Sequence, residues 1–160
     1  MELVGELLRR NRLEQNIKIV SVCNDLKVSK DIISKIESPS GVRNVKDILG
    51  AADEILIDRG DLSRKISLEK VPFLQRKIIS IAKTKKTPVY VATNLLESMV
   101  LQQTPTRAEL NDVVSTILMG ADGLVLAAET AIGKYPVGAV EMIRTLIEET
   151  ENKTNPQTRT

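Results

Sequence analysis

Short apolar runs recur along this chain, at intervals of roughly 35 residues between the strand candidates from "EILID" onward, and helically spaced segments lie between them. "IKIV" (17–20), "EILID" (54–58), "PVYVA" (88–92) and "GLVLA" (123–127) are the strand candidates, and "IISKI" (32–36) is a second apolar run after the first of them. Residues 2–13 place Leu3, Val4, Leu7 and Leu8 on one helical face. After a Pro39-Ser40-Gly41 turn, Val45, Ile48 and Leu49 predict a short helix ending at Gly50. A longer one spans 68–85, with Val71, Leu74, Ile78, Ile79 and Ala82 inward, and "TNLLESMVLQQ" reads as another short helix. Thr106 and Glu109 form a capping-box pattern opening a helix that stops at Gly120. Pro136 opens the last helix, whose expected buried face is Val140, Ile143, Leu146 and Ile147. Residues 21–31 carry no pattern, and the polar tail 151–160 is expected to be mobile.

The order is α-β-α-β-α-β-α-β-α. Strict alternation requires right-handed crossovers and a parallel sheet, so the fold class is α/β. Ligands of such folds sit at the carboxyl ends of the strands. Lys35 and Glu37, then Arg59 and Asp61, then Thr93 and Asn94, then Glu129 and Thr130 all fall there. The charges stand where an active site would be.

Composition removes several function classes. A net charge of +2 and the absence of Lys/Arg-rich runs argue against nucleic acid. With no histidine, Ser-His-Asp, Cys-His and histidine-metal chemistry are excluded. The single cysteine, Cys23, fits a reducing compartment. No apolar run approaches the ~18 residues of a membrane span, and "MELVGELLRRNRLEQN" has no signal-peptide core. The expectation is a cytoplasmic protein.

Lys35 and Glu37 lie two apart on a strand and project from one face. Glu37 and Asp61 come from consecutive strands and could converge on a hard cation such as Mg²⁺, which takes one or two carboxylates and leaves the rest to water and phosphate. A lysine beside it could offset negative charge developing on a substrate. The plainer alternative makes Lys35–Glu37 a same-face ion pair and Asp61 a helix N-cap.

"ISKIESPSGVRNVKDIL", "RGDLS", "VATNLLESM", "PTRAELNDV" and "GADGLVLAAETAIGKYPVGAV" occur in that order. They resemble successive motifs of the pyruvate kinase family over roughly residues 30–150. The resemblance implies a partial TIM (β/α)₈ barrel, strands five to eight, as a domain over 1–150 followed by the tail at 151–160. It implies phosphoryl transfer from phosphoenolpyruvate to ADP, giving pyruvate and ATP in glycolysis, with Mg²⁺ and K⁺. Lys35 resembles the lysine that stabilises the enolate and the transferred phosphoryl group. Glu37 and Asp61 resemble the Mg²⁺ ligands. Arg59 and Gly60 lie in the segment whose amides meet the substrate carboxylate, with Asp61 beside them. Thr93 resembles the threonine beside the substrate, and Glu129 lies in the strand-eight motif near it.

The chain departs from that pattern at four positions. Asp58 stands where the family usually has alanine, Asn94 where it has glutamine, Ala127-Ala128 where it has Ser-Gly, and Ser63 where it has glycine. Residues 20–32 interrupt strand five, either as a natural insertion or as a retained intron. Strands one to four, the lid domain, the carboxy-terminal domain and the K⁺ ligands are expected to lie outside this sequence. A half-barrel would then require a homo-oligomer or a complementing barrel half. Two alternatives to the kinase are a non-catalytic interaction module of the same family and a Mg²⁺-dependent pyruvate-enolate aldolase.

Overall fold

The computed structural model describes residues 33–154. The helix expected at 2–13, the strand at 17–20 and the insertion at 20–32 lie outside the described residues. Strands β1 (Ile33–Ile36), β2 (Glu54–Asp58), β3 (Val89–Ala92) and β4 (Gly123–Val125) form one sheet in sequential order, every neighbouring pair parallel. Each crossover carries helix, as parallel pairing demands. The helices are α1 (Pro39–Arg43), α2 (Val45–Ala51), α3 (Arg59–Lys65), α4 (Val71–Lys85), α5 (Arg107–Met119), α6 (Ala128–Ala131) and α7 (Pro136–Thr154). Short 3₁₀ turns occupy Leu68–Lys70 and Glu97–Val100.

Register separates the two faces of the sheet. Ile36, Ile57, Val91 and Leu124 form one row. The first three are fully buried, packed with Ile55 and Val89 against Val45 and Leu49 of α2 and Ile78, Ile79 and Ala82 of α4. Each such aliphatic side chain contributes about 1.5–3 kcal/mol of burial. The next row, Lys35, Leu56, Tyr90 and Gly123, points the other way, and this face stays more open: Ile33 is 59% and Val125 38% exposed. A second cluster, Leu95, Leu96, Met99, Val113, Ala139 and Ile143, joins the loop after β3 to α5 and α7.

The capping box at Thr106 and Glu109 forms as expected, with both reciprocal bonds present. Gly120 ends α5 in the left-handed region, at φ +94°. Several elements differ from expectation. The Pro39-Ser40-Gly41 turn is the first turn of α1, capped by Ser38, whose Oγ accepts the Gly41 amide at 3.1 Å. Helix α3 carries no apolar stripe of its own and forms because Asp58 caps it. The capping role considered for Asp61 therefore belongs to Asp58. "TNLLESMVLQQ" contributes only a 3₁₀ turn, and β4 stops two residues early. Val140 is 52% exposed because Ala139 and Ile143 take the contact face of α7. Gln75 is buried in α4 because its Nε2 donates to Thr116 Oγ1 at 2.9 Å. Helix α7 runs to Thr154, four residues into the polar tail. No helix among the described residues is long and apolar enough to cross a membrane.

Candidate active site

The carboxyl ends of β1 and β2 bring one cation against three carboxylates. Lys35 Nζ lies 2.9 Å from Glu37, 2.8 Å from Asp58 and 3.5 Å from Asp61. Strand pairing sets the first two, because Lys35 is level with Leu56 and Asp58 stands two residues on, on the same face. Helix α3 supplies Asp61 from its first turn. The hydrogen bond with Asp58 foremost, then that with Glu37, holds the Lys35 ammonium well above its usual pKa, against a smaller opposing effect of burial. Lys35 is thus a fixed cation at neutral pH and not a proton acceptor. Burial pushes the Asp58 carboxyl up, but Lys35, the Asp61 amide and Thr93 together outweigh it, and Asp58 stays below the usual carboxylate range.

The loop after β3 closes the next side. Thr93 and Asn94 both sit in the left-handed region, at φ +70° and +53°. Asparagine tolerates that region, whereas a β-branched threonine there is strained. Arg59 supplies the restraint: its Nε and one terminal nitrogen donate to the Thr93 carbonyl at 3.0 and 2.8 Å, and that same nitrogen reaches the Asn94 carbonyl at 2.7 Å. Asp112 of α5 pairs with its remaining arm. Held this way, Thr93 Oγ1 accepts the Gly60 amide at 2.7 Å and lies 3.2 Å from Asp58 Oδ1. A Cβ at position 60 would stand 3.2 Å from that hydroxyl, so glycine lets the helix start approach this closely.

Glu129 forms the third wall. It is fully buried, and its carboxylate accepts the Leu96 amide at 3.0 Å and the Ala127 amide at 2.9 Å. Burial raises its pKa, but the amides of Ala127, Glu129, Leu96 and Leu95 outweigh it and keep the group ionised. A cleft of about 230 Å³ opens between Asp58, Gly60, Asp61, Thr93 and the Ala127–Glu129 turn. A larger cleft of about 490 Å³ shares Asn94 and Glu97 with it, and Arg59 and Asp112 are among its other lining residues.

All seven residues to which the resemblance assigns a role, Lys35, Glu37, Arg59, Gly60, Asp61, Thr93 and Glu129, border this region, and Lys35, Glu37 and Asp61 converge. Arg59 contributes through the carbonyls it holds, and Glu129 through the amides it binds. Two participants escaped the sequence reading. Asp58 reads from the sequence as a strand-end charge and a departure from the family pattern, although an aspartate three residues before Asp61 is itself an N-cap pattern. Asp112 lies too far along the chain from Arg59 for any local pattern to join them. Ser63 sits inside α3 and donates to the Gly60 carbonyl at 2.8 Å, so it does not need the positive φ of a glycine. Asn94 donates to Glu97 at 2.6 Å.

The donor set suits a hard divalent cation. Carboxylate oxygens of Glu37, Asp58 and Asp61 lie within 4.8 Å of one another, and oxygen donors are what Mg²⁺ selects.

The model of the pyruvate kinase barrel domain matches residues 8–140. The chain belongs to the pyruvate kinase family. It is 43% identical over 135 residues to the pyruvate kinase of Thermococcus litoralis, covering 84% of this chain and 28% of that protein. The Agrobacterium vitis pyruvate kinase is 48% identical over 120 residues, 75% of this chain and 25% of that one. Pyruvate kinase isozyme G, chloroplastic, of Ricinus communis is 44% identical over 121 residues, 76% of this chain and 29% of its own. The chain thus spans between a quarter and three tenths of these pyruvate kinases. Its four parallel βα units are consistent with part of the family's barrel.

Proposed function

We propose that the strand-end cluster is the phosphoryl-transfer centre of a pyruvate kinase-type enzyme, acting on phosphoenolpyruvate and ADP to give pyruvate and ATP. The observation that carries this reading is the convergence of Lys35 with Glu37 and Asp61 at the ends of β1 and β2. The Lys35 cation would offset negative charge developing on the substrate. Glu37 and Asp61 would hold Mg²⁺, which would neutralise phosphate charge and align the transferred group. Lys35 now contacts both carboxylates, so loading the metal would require its ammonium to turn toward the substrate. The Arg59–Asp61 turn, Thr93 and the loop fixed by Glu129 would shape the floor of the cleft. K⁺ would be held outside this sequence. The site would work within a homo-oligomer or beside a complementing barrel half, in the cytoplasm, the compartment that the lone cysteine favours.

A coupled assay of pyruvate formation on the 160-residue chain, with Mg²⁺ and K⁺, tests the reading. Turnover abolished by Lys35→Ala would support it. A folded chain without turnover would favour a second reading, a non-catalytic module. That reading is favoured by Asp58, whose carboxylate already occupies Lys35 and the Asp61 amide.

A further inference from the structure

Three hydrogen-bond donors meet where β2 becomes α3, two of them, on Asp61 and Thr93, at the lining of the smaller cleft, and one side chain, Asp58, engages all three. Asp58 is only 10% exposed at its side chain and lies 2.8 Å from Lys35 Nζ. Its Oδ1 accepts the Asp61 amide at 3.2 Å and lies 3.2 Å from the Thr93 hydroxyl. The neighbouring Gly60 amide is committed as well, to Thr93 Oγ1. Around this point stand the carboxylates of Glu37, Asp58, Asp61, Glu97 and Glu129, against the cations Lys35 and Arg64. A site for a multiply charged anion needs free donors and positive potential. Here the carboxylates outnumber the cations, and Asp58 adds to that excess while taking up donors at the helix start.

We propose that Asp58 is a resident competitor for the substrate's anionic group, and is therefore the residue that sets this site's affinity for phosphorylated carboxylic acids. The inference rests on the phosphoryl-transfer reading above and adds a determinant to it. Among the three carboxylates around Lys35, Asp58 engages the most donors. Among the described residues Glu37 pairs with Lys35, and Asp61 is shared between Lys35 and Arg64. Removing Asp58 deletes a negative charge, frees the Asp61 amide and takes one of three carboxylates off Lys35, while the Thr93 hydroxyl keeps its 2.6 Å bond to the Ala92 carbonyl. Asp58→Asn separates the two effects, because it drops the charge while keeping an oxygen to cap α3.

The test is calorimetric titration of phosphoenolpyruvate, at fixed saturating Mg²⁺, into the 160-residue chain and its Asp58→Ala and Asp58→Asn variants. Circular dichroism checks that each variant is folded, and Asp58→Asn carries the test if the alanine variant is not. The expected result is a Kd lowered at least tenfold by Asp58→Ala and by a smaller factor by Asp58→Asn. Adding Lys35→Ala to Asp58→Ala should erase the gain. Equal affinity across the three proteins, or no binding by any of them, would overturn the proposal, since vacated donors would then make no seat. Mn²⁺ binding, followed by its paramagnetic resonance and lost on Glu37→Gln, reports the underlying reading separately. Mn²⁺ bound with phosphoenolpyruvate affinity unchanged would refute the Asp58 role alone. Neither Mn²⁺ nor phosphoenolpyruvate bound by any variant would refute both.

Discussion

Glu129 is a buried anion held by backbone amides, with no salt-bridged cation among the described residues, and its replacement by glutamine is a sharp test of how the site is held. Its two oxygens take the amides of Leu96, after β3, and Ala127, after β4. Hydrogen bonds to a charged group contribute about 1.5–3 kcal/mol each. Glutamine keeps one acceptor oxygen, now neutral, and turns an NH₂ toward the other amide, so one bond weakens and the second becomes a donor facing a donor. Full burial leaves no water to repair the mismatch. The expected loss is about 2–4 kcal/mol, read as a lower urea midpoint at unchanged slope. Hydrogen exchange at Leu96 and Ala127 should accelerate beyond the global effect. The pH dependence follows from the lowered folded pKa. The stabilisation is complete above the unfolded glutamate value of about 4.3 and is lost as pH falls through the folded one. The gap between wild type and Glu129→Gln should therefore narrow in acid. A variant within 0.5 kcal/mol of wild type at pH 7, a cut-off of about the size of ordinary surface effects, would refute this account.

Asp112→Asn should cost about 1 kcal/mol, a value discounted because Asp112 is 40% exposed. A double-mutant cycle with Arg59→Lys showing no coupling would make Asp112 a bystander. Lys86 ends α4 in the left-handed region at φ +58°. Relieving a non-glycine residue there recovers roughly 1 kcal/mol, part of which is returned as unfolded-chain entropy. Lys86→Gly should thus raise the calorimetric Tm slightly, and a lower Tm would contradict the strain argument.

The strands and main caps could be read from the sequence because their signals are local. Period, Pro136, Gly120 and the Thr106–Glu109 pair each act within a turn or two. The convergence of Lys35, Glu37 and Asp61 was legible because parallel topology puts every strand end on one edge. What stayed hidden depends on contacts across the fold. Arg59 reads as a strand-end cation, yet most of its donors go to two carbonyls across the loop. Glu129 reads as a site acid, yet both oxygens are held by backbone. Gln75 looks like an exposed helix residue until Thr116 meets it. Val140 fits the helical period, but Ala139 permits the closer approach and turns the face. In each case an interaction distant in sequence overrode the local pattern.

The brevity of β4 has a bearing on handling the protein. A sheet that is not closed offers its rim to any passing extended segment, and the length of that rim sets how many bonds an intruder can make. Among the described residues β4 pairs only with β3, and it is three residues long. Its first residue is Gly123, which carries no side chain for an incoming strand to pack on, and Tyr90 already occupies the space a Cβ there would fill. Such a stub is a poor template. Self-association through that side would have to come from side-chain contacts rather than from an added strand.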